Sequence, residues 1–86
     1  METEIILIQI MQDVVGVKNL HRDSRFLDFG GNSLNLVEVL NQIREKFGVA
    51  PSPRIFFDKS RSTLTQISAE IDRETAKHYA TTQAIS

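Results

Sequence analysis

Gly30-Gly31-Asn32-Ser33-Leu34-Asn35-Leu36-Val37-Glu38-Val39-Leu40-Asn41-Gln42-Ile43-Arg44-Glu45-Lys46-Phe47-Gly48 carries the clearest structural signal in this 86-residue chain. Leu36, Leu40, Ile43 and Phe47 fall at i, i+4, i+7 and i+11 with Val39 beside them, the stripe of an amphipathic helix. Gly48 supplies the stop, because a residue without a Cβ tolerates the left-handed conformation that ends many helices. At the other end two glycines make a turn, and Asn32 or Ser33 caps the helix by accepting a backbone N–H. The spacing predicts a helix over 33–47 and sets the Ser33 hydroxyl in its first turn.

Upstream, Ile5, Ile8, Met11 and Val15, together with Leu7 and Val14, repeat at three and four residues, and Ile6 and Ile10 widen that face. A strand between Glu4 and Ile10 is disfavoured, since strict alternation is lacking and the run exceeds usual strand length. A first helix over 3–15 is expected, ended by Gly16. Residues 17–32 form a long connection whose Val17, Leu20, Phe26, Leu27 and Phe29 are expected to pin it to the core. Such loops are usually functional or disordered, and the apolar anchors argue for function.

Downstream, Ser52-Pro53 reads as an N-cap with proline at the first helical position, opening a short helix through Ile55, Phe56 and Phe57. Thr63-Leu64-Thr65-Gln66 has the form of a capping box. Leu64, Ile67 and Ile71 then repeat at three and four, predicting a last helix over 64–76. Length and composition fit a single domain over 1–86, its core about 3–76 and its tail 77–86 partly frayed.

With 41% hydrophobic and 24% charged residues the composition is globular, and no apolar run approaches the roughly 18 residues that span a bilayer. Glu2-Thr3-Glu4 precedes the first apolar stretch, where a secretory signal would want basic residues, so a soluble cytoplasmic protein is expected. The chain has no cysteine, and His21 and His78 stand far apart, which excludes a disulfide framework and gives no metal-ligand cluster. Any reactive sulfur must come from outside. A net charge of −1 with both signs interspersed supplies no broad positive field for nucleic acid.

Ser33 therefore has two compatible roles, as an ordinary helix cap or as a modified residue. A helix start suits a phosphodiester, because unpaired N–H groups and the positive end of the macrodipole face the added anion. As a catalytic nucleophile Ser33 is poor. Gly31-Asn32-Ser33-Leu34-Asn35 lacks the closing glycine of the nucleophile elbow, and a helical chain lacks the strand that motif requires. His21 as base with Asp28 as orienter is set aside on the same ground.

The run Asp23-Ser24-Arg25-Phe26-Leu27-Asp28-Phe29-Gly30-Gly31-Asn32-Ser33-Leu34 resembles the attachment-site signature of acyl and peptidyl carrier proteins. Val37-Glu38-Val39, Phe47-Gly48-Val49, Ile55-Phe56-Phe57-Asp58 and Ser62-Thr63-Leu64 extend the likeness through nearly the whole chain. The resemblance implies an all-α, right-handed four-helix bundle of acyl-carrier type, with a long loop between helices I and II and a short helix III. It implies that Ser33, flanked by Gly31, Asn32 and Leu34, receives 4'-phosphopantetheine from coenzyme A through a magnesium-dependent phosphopantetheinyl transferase. The arm's thiol then holds an acyl or aminoacyl group as a thioester. Leu34, Val37, Glu38 and Asn41 match the helix II surface that docks partner enzymes: an adenylation or other loading enzyme, then condensing, tailoring or thioesterase partners.

Such a chain is a non-catalytic monomer acted on by others, with no nucleic acid, membrane or metal partner. Asn32 stands where the family most often has aspartate or histidine, and Phe29 where it has leucine. The low net charge and the Gly-Gly pair place the resemblance towards peptidyl or aminoacyl carriers of nonribosomal peptide or mixed polyketide assembly. Starting at Met1, the chain is expected to be a discrete carrier, though an excised domain would look the same. Two rivals stand beside this reading. One is a helical interaction module in which Ser33 only caps. The other is a helix-turn-helix DNA binder with 37–48 as recognition helix and Arg44, Lys46, Arg54, Lys59 and Arg61 as its basic residues.

Overall fold

The computed structural model of the chain describes residues 2–58, 60 and 62–85, with the backbone alone over 78–85. Three α-helices form on the apolar repeats: α1 Glu2–Val15, α2 Ser33–Phe47 and α3 Leu64–Ile85. A 3₁₀ helix, Pro53–Phe57, lies between α2 and α3. The regular structure among the described residues is thus all-helical apart from an isolated antiparallel bridge between Arg25 and Thr63. No described helix is long and apolar enough to cross a membrane.

Helix ends follow local chemistry. Gly16 and Gly48 both take left-handed conformations, and their N–H groups donate to Gln12 O at 2.9 Å and Arg44 O at 2.8 Å. The capping box at α3 is complete: Thr63 Oγ1 accepts from Gln66 N–H at 3.2 Å, and Gln66 Oε1 accepts from Thr63 N–H at 3.3 Å. The expected short third helix forms, as a 3₁₀ helix held by Ile55 N–H to Ser52 O at 3.2 Å and Asp58 N–H to Ile55 O at 3.4 Å. Five residues opened by a proline, with Asp58 already extended, leave little room for i→i−4 bonds. The last helix also continues past Ala76 to Ile85, through the stretch expected to fray, while Ser86 lies outside the described residues. Its apolar repeat stops at Ile71, but Glu70–Arg73 at 3.3 Å and Glu74–Lys77 at 3.9 Å support the turns that follow.

Each helix lends three buried residues to one core: Leu7, Ile10 and Met11 from α1, Leu36, Val39 and Ile43 from α2, and Leu64, Ile67 and Ile71 from α3. Phe26 joins from the long loop, and Ile55 and Phe56 from the 3₁₀ helix. Burying each such side chain stabilises by about 1.5–3 kcal/mol before entropy is charged against it. The inward faces are rotated from those expected. Ile5 is 57% exposed while Ile10 is buried, and Val39, not Leu40 or Phe47, lies at the centre of the α2 contact. A broad apolar face admits several adjacent stripes, and packing against two neighbours selects among them.

The loop of residues 17–32 docks onto the start of α3. Leu64 N–H donates to Ser24 O at 3.0 Å and Thr65 N–H to Arg22 O at 2.9 Å, while Phe26 N–H donates to Ser62 O at 3.4 Å. First-turn N–H groups have no acceptor within their own helix, so the loop carbonyls satisfy two of them from outside. Next to the Arg25–Thr63 bridge Phe26 turns inward, while Leu27, in the same turn, is 46% exposed and so is not the core anchor that was expected. Val17, Leu20 and Phe29 are half-buried.

Thr63→Ala removes the hydroxyl half of the capping box. It is expected to lower unfolding free energy by about 1 kcal/mol, seen as a reduced urea midpoint with an unchanged slope.

Candidate functional site

The site begins at Phe26, which has no exposed surface. Its ring makes edge contacts with Phe29, Phe56 and Phe57 at centroid distances of 5.9, 5.3 and 6.0 Å. Edge-to-face pairs of this kind add about 0.5–1.5 kcal/mol each beyond area burial. The fourth side of the ring lies under Gly31, whose N–H donates to Phe26 O at 2.9 Å. A Cβ on Gly31 would fall 2.5–2.6 Å from three atoms of that ring. The two glycines therefore serve different purposes: Gly30 takes a φ of +98°, and Gly31 makes room for an aromatic face.

Next, the chain enters α2. Asn32 is extended, and its Oδ1 accepts from Asn35 N–H at 3.0 Å while its backbone O accepts from Leu36 N–H at 2.9 Å. Asn32 is thus the N-cap, which resolves the choice between it and Ser33. The Asn35 side chain also donates to Val14 O at 3.5 Å, reaching an orphan carbonyl at the end of α1. Relieved of capping, Ser33 is the first helical residue, exposed, and its hydroxyl has no hydrogen-bond partner among the described residues. Capping by Asn32 leaves the Ser33 and Leu34 N–H groups as the uncapped positive end of α2.

Leu34 is 85% exposed and Val37 61%, so neither fills the edge of the core. Glu38 and Asn41 are exposed on the same helix, and Glu38 Oε1 accepts from Gln42 Nε2 at 3.1 Å. These four residues, with Ser33, make one outward surface along the first half of α2. His21 is exposed in the loop, and no hydrogen bond joins it to Ser33 or Asp28. A hydrolytic triad is not assembled. Of the basic residues weighed for DNA binding, Arg44 and Lys46 are exposed in the last turn of α2 and Arg54 on the 3₁₀ helix. Lys59 and Arg61 lie outside the described residues. Phe26 and Asn35 are the contributors that spacing alone leaves unexplained, since the first acts through a contact with Gly31 and the second through a neighbouring helix.

Over residues 6–71 the chain matches the family described as "Phosphopantetheine attachment site". The chain belongs to the phosphopantetheine-attachment family. This carrier is 34% identical over 58 residues, 67% of its length, to a Salinispora arenicola protein described as "Probable non-canonical nonribosomal peptide synthetase (NRPS) CymA". It is 27% identical over 98% of its length to tyrocidine synthase 3 of Brevibacillus parabrevis. It is 29% identical over 92% of its length to surfactin synthase subunit 1 of Bacillus subtilis. In each case the chain spans only 1–2% of the relative's own length.

The family carries 4'-phosphopantetheine as a covalently attached prosthetic group. The surroundings of Ser33 fit such a group, since an unpaired exposed alcohol stands beside open first-turn N–H groups and behind a turn free of side chains at Gly30 and Gly31. A phosphodiester anion there gains about 0.3–1 kcal/mol from the helix dipole at an exposed position.

Gly31→Ala forces a methyl into the Phe26 ring, which three other rings hold in place. The variant is expected to lose about 1–3 kcal/mol of stability, the range for overpacked cores, measured by urea unfolding.

Proposed function

We propose that Ser33 is the attachment residue, and that the chain tethers aminoacyl or peptidyl intermediates in nonribosomal peptide or mixed polyketide biosynthesis. The observation that carries this reading is the exposed, unpartnered hydroxyl at the first position of α2. Ser33 Oγ loses its proton to a phosphopantetheinyl transferase and forms the phosphoester bond, with adenosine 3',5'-bisphosphate leaving from coenzyme A. Once attached, the arm supplies a thiol on which cargo is carried as a thioester. The chain's own residues hold the tether point outward: Phe26 and Gly31 set the turn, Asn32 caps, and the open N–H groups of α2 face the phosphate. Gly31, Asn32 and Leu34 flank the attachment point.

Leu34, Val37, Glu38 and Asn41 form the surface that partner enzymes grip: the transferase, an adenylation or other loading enzyme, then condensing, tailoring or thioesterase partners. The exposure of Leu34 and Val37 supports this, as large apolar side chains left in water cost nothing to remove from it on docking. Asn32 brings no charge to that surface, so docking depends more on apolar contact than on a basic patch in the partner. The relatives' names as peptide synthetases favour the peptidyl subclass over a fatty-acid carrier. This reading takes the chain as a right-handed four-helix carrier bundle, a single non-catalytic domain working as a cytoplasmic monomer, and the all-helical regular structure supports it.

Intact mass after incubation with coenzyme A, magnesium and a broad-specificity transferase tests the attachment residue. Wild type is expected to gain the mass of one phosphopantetheine and Ser33→Ala none; modification of both would move the site, and of neither would favour a helical interaction module in which Ser33 only begins α2. For the docking surface, Val37→Asp is expected to slow loading by an adenylation enzyme at least tenfold while its unfolding free energy in urea stays within about 0.5 kcal/mol of wild type, as for other surface changes. Equal loading rates would remove Val37 from the interface.

A further inference from the structure

Two residues able to cap a helix stand side by side at the start of α2, and they compete for the same donors. Asn32, extended at φ −144° and ψ −177°, holds Asn35 N–H on its Oδ1 at 3.0 Å and Leu36 N–H on its backbone O at 2.9 Å. A serine capping at position 33 would draw on those same two N–H groups, since an N-cap side chain accepts from the second or third helical residue beyond it. Asparagine and serine are close to equal as caps, so side-chain type does not choose between the two starts.

The backbone chooses. A start at Asn32 includes the bond from Leu36 N–H to Asn32 O, the first of α2, which a start at Ser33 gives up. The turn ahead of it is fixed by Gly31 N–H to Phe26 O at 2.9 Å. The start in turn decides the state of the serine. At the first helical position Ser33 has a helical backbone and an exposed side chain, with the donors it would need as a cap already taken by Asn32. As the cap its backbone would turn extended, and its Oγ would hold Asn35 or Leu36 N–H at the helix end.

We propose that Asn32 is a positioning residue for attachment at Ser33: its side-chain oxygen holds Asn35 N–H and so keeps α2 on the start that leaves the Ser33 oxygen outside the capping bonds. This role rests on the reading of Ser33 as the attachment residue. What position 32 must supply is an accepting oxygen rather than a charge, and aspartate or serine supplies one as asparagine does. With that oxygen removed, Asn35 N–H passes to Ser33 Oγ. The transferase then meets a mixture of two starts, and its apparent affinity falls by the fraction of chains that have switched, while turnover of a correctly bound chain is unchanged.

Transferase kinetics on the full 86-residue chain test this role, read by intact mass with coenzyme A and magnesium and paired with the carbon shifts of Ser33 Cα and Cβ. In Asn32→Ala the KM for the carrier is expected to rise roughly fivefold at unchanged kcat, the size a lost cap sets. The Ser33 shifts of that variant are expected to move from helical towards extended values, with the chain still folded in the absence of urea. Asn32→Asp and Asn32→Ser are expected to restore both readouts. The proposal is overturned if Asn32→Ser stays as slow as Asn32→Ala, or if modification slows while the Ser33 shifts stay helical. An Asn32→Asp variant much faster than wild type also overturns it, because charge and not the cap would then set the rate. No mass gain in wild type sinks the attachment reading and this role together, whereas a wild type matched by Asn32→Ala sinks the role alone.

Discussion

The burial of Phe26 against Gly31 is the contact on which the rest of this molecule depends. A ring with no exposed surface, fenced by Phe29, Phe56 and Phe57, leaves one open side, and the backbone of the glycine turn closes it. That contact converts a sixteen-residue connection with little regular structure into a fixed approach to α2. The loop is held from the other side as well, because Arg22 and Ser24 lend their carbonyls to the first turn of α3. Core packing and helix capping thus act on the same segment, and loosening either would free the turn that leads to Ser33.

Division of labour between neighbouring residues follows from this anchoring. Asn32 caps, so Ser33 does not have to, and its hydroxyl stays available. Asn35 receives the cap on its N–H and reaches back to the end of α1 with its side chain, tying the two helices where the chain turns outward. Leu36, Val39 and Ile43 hold the inner face of α2, which leaves Leu34 and Val37 facing water on a rigid support. That exposed apolar surface is the one proposed above for docking. The absence of cysteine accords with a carrier whose working sulfur belongs to its prosthetic group.

Polar chemistry organises the opposite requirement, stability in a chain too short for a large core. The cluster of Thr3, Glu4, Arg22, Thr65 and Asp72 brings α1, the loop and α3 together through side-chain hydrogen bonds instead of further apolar contact. Such pairs are individually weak when partly solvated. Their value lies in geometry, since they fix the loop's register against α3 near the backbone bridge between Arg25 and Thr63.

The sequence by itself determined the helices and most of their ends, because caps and apolar repeats act within a few residues of one another. Ser33 to Phe47, the Thr63–Gln66 box and the glycine stops were all legible for that reason. The place of Ser33 at the start of α2 was legible too, from the glycine turn before it and the apolar repeat after it. The far end of α3 was not, since its apolar repeat stops at Ile71, and the pairs Glu70–Arg73 and Glu74–Lys77 support the turns just beyond it. Tertiary structure alone decided which stripe of α1 faces inward, why Leu27 turns out where Phe26 turns in, and why Gly31 cannot bear a side chain. The first two depend on segments distant along the chain and the third on how the turn brings the Phe26 ring under Gly31, and periodicity within one helix holds no record of either.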